Sequence, residues 1–362
     1  MLLNDTIQFF KKEKAYGVLF LILVALYGYL LVAPRPERES GRPSPALDEY
    51  RKAEERLEQK VKKAGSFRDY LEERPMLGIL FKLLTFLAAG SFSLGLVIDF
   101  FLMFNAPWRR SLSCHGPPHT TEWKISMLFK VIVLFLLGTF LLSFMFEIVL
   151  YLFRRRASEN IFVLLHTTAA DFLCVAFILY VVREAGGRWR DLGLGMPEGE
   201  FWKETLLGLG GYLAVLPAFI ATLVFLVYLT RLFAYEPPPH PLVNVFLEEE
   251  ERSPMLIVYS VFLATVVGPM LEEIFFRGFC YPIFKKRFGI AWGMVITSAF
   301  FALIHENSFA FWPIFILGMG LAYVYEKRGS LAAPMALHIA HNAVFITYFF
   351  LAKNIVVREA GL

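Results

Sequence analysis

The sequence predicts an all-α polytopic membrane protein of eight or nine transmembrane helices, bundled into a core that encloses a polar cavity. Three observations carry that expectation. The 362 residues are 57% hydrophobic and only 19% charged, against about 45–50% and about 25% in an ordinary soluble domain; the mean hydropathy is +0.55. The stretches Ala15–Ala33, Thr205–Thr230 and Ser253–Leu271 carry no charge, and roughly 20 apolar residues suffice to cross the hydrocarbon of a bilayer. Finally, ionisable residues recur at helical spacing within the last spans, where a protein interior or a watery cavity, not lipid, normally receives them.

The first apolar run follows Lys11, Lys12 and Lys14. It is longer than a signal-peptide core and no small-x-small cleavage site follows it, so residues 1–33 read as a retained anchor helix. Residues 34–75 break the membrane pattern. "PRPERESGRPSP" is a polar, Pro-rich linker, and "ALDEYRKAEERLEQKVKKAG" is one helix with a narrow apolar stripe of Leu47, Tyr50, Leu57 and Val61. That helix is expected to lie on the bilayer or on its own neighbours; a coiled-coil seam conflicts with Glu54, which falls on it.

Residues 76–204 supply N-terminal membrane helices and loops, with spans near Met76–Phe104, Ile125–Phe153 and Asn160–Val182, interrupted by Lys82, Asp99, Lys130, Glu147 and Asp171. Asp99, Asp171 and His166 belong to no set of motifs like that of the last spans and are expected to be structural. "CHGPPH" at 114–119 reads as a plain loop rather than a metal loop, and "EPPPHP" at 236–241 as a stiff connector. Residues 205–362 form a membrane core with further spans near Phe288–Ile304, Phe309–Tyr325 and Ser330–Ala352. Gly268, Gly278, Gly318 and Gly320 are candidates for close helix approach, although glycine is common in membrane helices anyway.

The three cysteines make no disulfide framework. The net charge of +4 reflects Lys and Arg at loop ends, which suits a membrane surface and gives no ground for a nucleic-acid partner. Lys285–Arg287 and Lys327–Arg328 fall on one side of the membrane. Arg154–Arg156 joins them only if a span is miscounted, and Asn160–Val182 is the suspect.

In the last four spans the polar residues are not scattered. "GPMLEEIFFRGF" holds Glu272, Glu273 and Arg277; "FFALIHEN" holds His305; "LHIAHNAVF" holds His338, His341 and Asn342. Glu273 and Arg277 are one turn apart in the favourable acid-first order, and Glu272 is rotated about 100° from Glu273, free to face something else. His338 and Asn342 share a face. A carboxylate and an imidazole converging on one water can hold it and take its proton, and a His and an Asn on one face can both donate to a developing oxyanion. No Ser or Cys shares a face with these groups, which favours water over a side-chain nucleophile. Two other readings stand beside this one. Each residue taken singly serves as interhelical glue, and Glu272, His305 and His338 could ligate zinc, although "HENSF" lacks the second His of a His-Glu-x-x-His helix.

With the motifs "EEIFFR" (272–277), "FALIH" (301–305) and "HIAHN" (338–342), the chain resembles the CPBP intramembrane proteases, the CAAX protease and bacteriocin-processing (Abi) family, most closely over residues 254–352. The contexts "FRGFCYPIFKKRFG", "YEKRGSLAAPMALHIAHN" and "RWRDLGLGMP" are similar too. The resemblance implies an all-helical, glutamate-type membrane endopeptidase of a prokaryotic cell membrane. By it, Glu272 and His305 activate water, His338 and Asn342 stabilise the oxyanion, and Glu273 and Arg277 support the first motif. It implies no cofactor, with zinc as the variant, and a membrane-associated peptide or protein as substrate. It does not fix whether that substrate is prenylated, nor the oligomeric state. The rival from another class is a non-enzymatic transporter or immunity scaffold that uses the same cavity to bind.

Overall fold

The computed structural model describes residues 9–32, 45–113, 123–153, 159–195, 200–235, 237, 241–249 and 253–361. The 114–119 loop, Arg154–Arg156 and most of the two Pro-rich connections lie outside them. Among the described residues there are helices and no strands. In chain order these are α1 (Lys14–Val32), α2 (Pro45–Lys63), α3 (Phe67–Glu72), α4 (Pro75–Phe104), α5 (Ala106–Ser111), α6 (Ile125–Phe153), α7 (Glu159–Glu184), α8 (Phe201–Leu232) and α9 (Pro241–Glu249). A helical run Pro254–Leu303 follows, then α12 (Phe311–Arg328) and α13 (Ala332–Ala360).

The run Pro254–Leu303 folds back on itself at Gly289, whose backbone (φ 82°, ψ 174°) is open to glycine and strained for any other residue. It divides into α10 (254–288) and α11 (290–303). The arms are zipped by aromatic rings: Phe276 lies 5.4 Å from Phe300 and 5.1 Å from Phe301, centroid to centroid.

Six of the helical stretches are long and apolar enough to cross a membrane, so the chain is a multi-pass membrane protein. The sequence expectation of eight or nine exceeds six for identifiable reasons. The apolar part of α1, Lys14–Tyr29, is shorter. The α10–α11 hairpin counts as one stretch. α12 packs Glu326, Lys327 and Arg328 into its last turn. The suspected segment Asn160–Val182 is an unbroken part of the 26-residue α7.

Polar contacts gather the helix ends on two opposite faces. On one, Glu359 at the end of α13 accepts from Tyr70 (2.6 Å) and Arg74 (2.8 Å), Lys60 of α2 bonds its backbone carbonyl, and Asn160 bonds Glu249. The charged helix α2 therefore lies on its own neighbours, with Leu47 and Ala53 buried. On the other face, Lys130 meets Glu184, Lys285 meets Glu326, and the Gly193 carbonyl accepts from the Leu331 N–H. There Arg328, buried at the end of α12, pairs with Glu204. Lys285–Arg287 and Lys327–Arg328 share this second face.

Close crossings hold the core. A Cβ on Gly208 of α8 would stand 2.3 Å from the Ala333 carbonyl of α13, and one on Gly320 would stand 2.2 Å from the Val215 side chain. Of the glycines singled out by sequence, Gly278, Gly318 and Gly320 back directly onto other elements, whereas Gly268 faces only a carbonyl of its own helix.

Candidate active site

The site forms where α13 crosses α10, and it depends on a defect in α10. The stretch Leu263–Val267 is a π-turn: the Gly268 N–H bonds the Leu263 carbonyl, five residues back, and skips Ala264. The next residue, Pro269, has no N–H to offer. The Ala264 carbonyl is thus deprived of a helical donor in either register. Asn342 of α13 supplies one, its Nδ2 donating at 2.8 Å. Because only a donor can satisfy a carbonyl, this bond also fixes which way the Asn342 amide is turned. A second π-turn, Ile274–Cys280, comes after the α-helical turn Gly268–Glu273, with the Tyr281 N–H on the Phe276 carbonyl. Such turns inside α-helices are frequent at functional sites.

Between the two π-turns lie the glutamates. Glu273 is fully buried and its Oε1 accepts from Arg277 at 2.8 Å. Arg277, 1% exposed, also reaches the Gly318 carbonyl at 3.2 Å and lies 4.6 Å over the Phe301 ring. The same Glu273 Oε1 lies 2.9 Å from His338 Nδ1. With the carboxylate as acceptor, Nδ1 carries the proton and Nε2 is turned the other way. There it faces Glu272 Oε2 at 3.7 Å, and Glu272 retains a third of its side-chain surface. One imidazole thus stands between two adjacent carboxylates, one buried and charge-paired, one open.

His305 follows the last turn of α11. Its Nδ1 donates to the Phe301 carbonyl at 2.7 Å, which leaves Nε2 as the nitrogen available to a reacting partner. The Phe301 ring packs edge-on to both imidazoles, 4.9 Å from His305 and 5.6 Å from His338. His305 forms no ion pair with either glutamate among the described residues. His341 turns away from this point, against Tyr212, Phe219 and Phe345.

The structure therefore brings Glu272, Glu273, Arg277 and His338 into one connected cluster, with His305 joined through the Phe301 ring and Asn342 one turn further along α13, bonded to the Ala264 carbonyl. It also adds a residue that sequence reading set aside. α7 packs on α10 around Gly268–Glu273, and Asp171 of α7 comes within electrostatic reach of Glu272. The only signal for it in the sequence is a charge in the middle of an apolar span. No three His, Cys, Asp or Glu side chains among the described residues gather closely enough to hold a metal ion.

Comparison with known proteins falls on this same region. Residues 254–344 match the family model described as Type II CAAX prenyl endopeptidase Rce1-like. The chain is 34% identical over 110 residues to the membrane-embedded CAAX protease MroQ of Staphylococcus aureus strain USA300, covering 28% of this chain and 42% of the relative. It is 25% identical over 110 residues to the UPF0177 protein YaiF of Lactococcus lactis, covering 30% of this chain and 49% of that one. The chain thus aligns with less than half the length of these relatives. No solved structure matches it.

Proposed function

We propose that this chain, whose residues 254–344 match the Rce1-like CAAX prenyl endopeptidase model, is a membrane endopeptidase of the CPBP family that hydrolyses a peptide bond of a membrane-associated protein or peptide by activating water. The observation that carries this reading is His338 standing between Glu272 and Glu273, with Asn342 one turn further along the same face.

The roles follow from burial and hydrogen bonding. Glu272 is the open carboxylate, so it takes the proton of the attacking water, with His305 Nε2 as the second group on that water. The water oxygen bonds to the scissile carbonyl carbon, and the carbonyl oxygen becomes the oxyanion. His338 Nε2–H and the second Nδ2–H of Asn342 donate to it. With Nδ1–H of His338 given to Glu273, Nε2 donates to the oxyanion when it too carries a proton. Collapse of the intermediate breaks the C–N bond, and the leaving amine receives the proton held by Glu272. Glu273 and Arg277 orient His338 and do not touch substrate. No cofactor enters this scheme.

The test is incubation of the purified chain with a library of membrane-tethered peptides, half of them prenylated at a C-terminal cysteine, read by mass spectrometry. Cleavage lost in Glu272→Gln is the expected result, and the prenylated and plain arms reveal the substrate class. Full turnover by Glu272→Gln ends the role given to that residue. Loss of activity to a chelator, restored by zinc, replaces the scheme with a metal one. Peptide capture without cleavage supports the transporter or scaffold reading.

A further inference from the structure

Asp171 sits about three turns into α7, on the stripe of that helix that faces α10. Leu164 shares a buried cluster with Leu256 and Leu263 of α10. The Thr168 hydroxyl lies 2.5 Å from that of Tyr259, and Val175 packs against the core that holds Ile274. Residues 164, 168, 171 and 175 follow at steps of four, three and four, so Asp171 shares their side of the helix. Its carboxylate is partly exposed and lies within electrostatic reach of Glu272. Among the described residues it makes no hydrogen bond and no ion pair. A carboxylate held in a membrane span without a partner is costly, and it marks a functional site.

Helices α7 and α13 both pack on the Gly268–Glu273 turn of α10 and not along one another. They stand as two walls, with Glu272 on the floor between them. On the α13 wall, His338 Nε2 is 3.7 Å from Glu272 and Asn342 lies one turn on. Asp171 belongs to the other wall. In the proposed reaction, on which this assignment rests, His338 and Asn342 hold the scissile carbonyl oxygen. A trans peptide bond points its N–H away from its C=O, so a substrate whose carbonyl faces α13 turns its scissile N–H toward α7. We propose that Asp171 is a further catalytic residue of this site, whose carboxylate accepts a hydrogen bond from the scissile amide N–H and keeps it on the leaving amine. No proton passes to Asp171. The nitrogen retains its own hydrogen and takes its second from Glu272 when the C–N bond breaks. With the N–H held on one wall, the nitrogen lone pair is turned to the floor, where Glu272 delivers that proton.

The experiment compares a membrane-tethered peptide with its depsipeptide, in which an ester oxygen replaces the scissile N–H, using the purified full chain in detergent. Wild type is expected to cleave both. Asp171→Leu should lower kcat/KM for the peptide by about tenfold to a hundredfold, the worth of a hydrogen bond to a charged group, and leave the ester within about twofold. Asp171→Asn keeps the shape and one oxygen acceptor, so its loss is smaller and again confined to the peptide. The Asn variant carries the test if thermal unfolding shows that the Leu variant does not fold. Equal losses on peptide and ester in a folded variant make Asp171 a structural group and overturn the assignment, as does undiminished peptide turnover. Wild type that cleaves neither substrate overturns the proposed reaction itself, and the role of Asp171 with it.

Discussion

Replacing each of two adjacent glutamates by glutamine should separate chemistry from architecture. Glu273 is 0% exposed and Arg277 is 1% exposed, and one carboxylate oxygen serves both Arg277 and His338. Glu273→Gln keeps the shape and removes the charge. The guanidinium then remains buried with the Gly318 carbonyl at 3.2 Å and the Phe301 ring as company. Breaking a buried pair in this way costs about 3–5 kcal/mol, roughly two to three and a half powers of ten in a folding equilibrium. Glu272 is one-third exposed, and its nearest ionic partner is 3.7 Å away. Its replacement should cost no more than about 0.5 kcal/mol. The assay is thermal unfolding of purified protein followed by a thiol-reactive dye, since Cys280 is fully buried beside the Arg277 turn, run in parallel with peptide turnover. Glu272→Gln is expected to unfold with wild type and to be inactive. Glu273→Gln is expected to unfold well below it. Adding Arg277→Met should restore much of the stability of Glu273→Gln by removing the orphaned charge, and should not restore turnover, because His338 still lacks its anionic partner. Equal unfolding of the two single variants, or no recovery in the double variant, would refute the division of labour between the glutamates.

Asn342→Ala should lower kcat by about 10²–10³ with KM little changed, and lose about 1 kcal/mol of stability with the bond to the Ala264 carbonyl; steady-state kinetics and unfolding check both. His305→Ala should lower turnover by about 10²–10⁴ while the unfolding temperature stays put, since its Nδ1 bonds only the preceding turn. Gly208→Val forces a Cβ toward a carbonyl that would lie 2.3 Å away; overpacking of this kind costs about 1–3 kcal/mol, and unchanged thermal unfolding would contradict the close α8–α13 crossing. Outside the membrane, burial and then the hydrogen bond to Glu359 push the Tyr70 phenol up to about 12. A phenol raised above its unfolded value of about 10 stabilises the fold below that pH, and the contribution is lost as pH rises through 12. Tyr70→Phe should therefore cost about 1.5–3 kcal/mol at pH 7 and lack the alkaline step that wild type shows in pH-dependent unfolding.

How much of this was legible in the sequence depends on whether a feature belongs to one helix or to two. Charges in an apolar run stand out, so Glu272, Glu273, Arg277, His305, His338 and Asn342 were all visible. Spacing within a helix gave the Glu273–Arg277 pair and the shared face of His338 and Asn342. Which glutamate bonds His338 was not visible. Neighbours on a helix differ by about 100°, and only the position of α13 decides which faces it; Glu273 makes the hydrogen bond, not Glu272. Asp171 was likewise out of reach, because its relation to Glu272 is made by α7 packing on α10 and not by any spacing. The π-turns have no period of their own, but one clue is present. Pro269 cannot donate, so a carbonyl one turn earlier must look elsewhere. In the α register the Ala264 carbonyl would take the Gly268 N–H, which the structure gives to Leu263; in the π register it would take the N–H that Pro269 lacks. Asn342 answers that carbonyl from another helix. The bond anchors the amide to the same helix that carries both glutamates, eight and nine residues on. In the proposed reaction, the distance between the oxyanion donor and the acid is therefore set by α10 itself and not by the looser packing of one membrane helix on another.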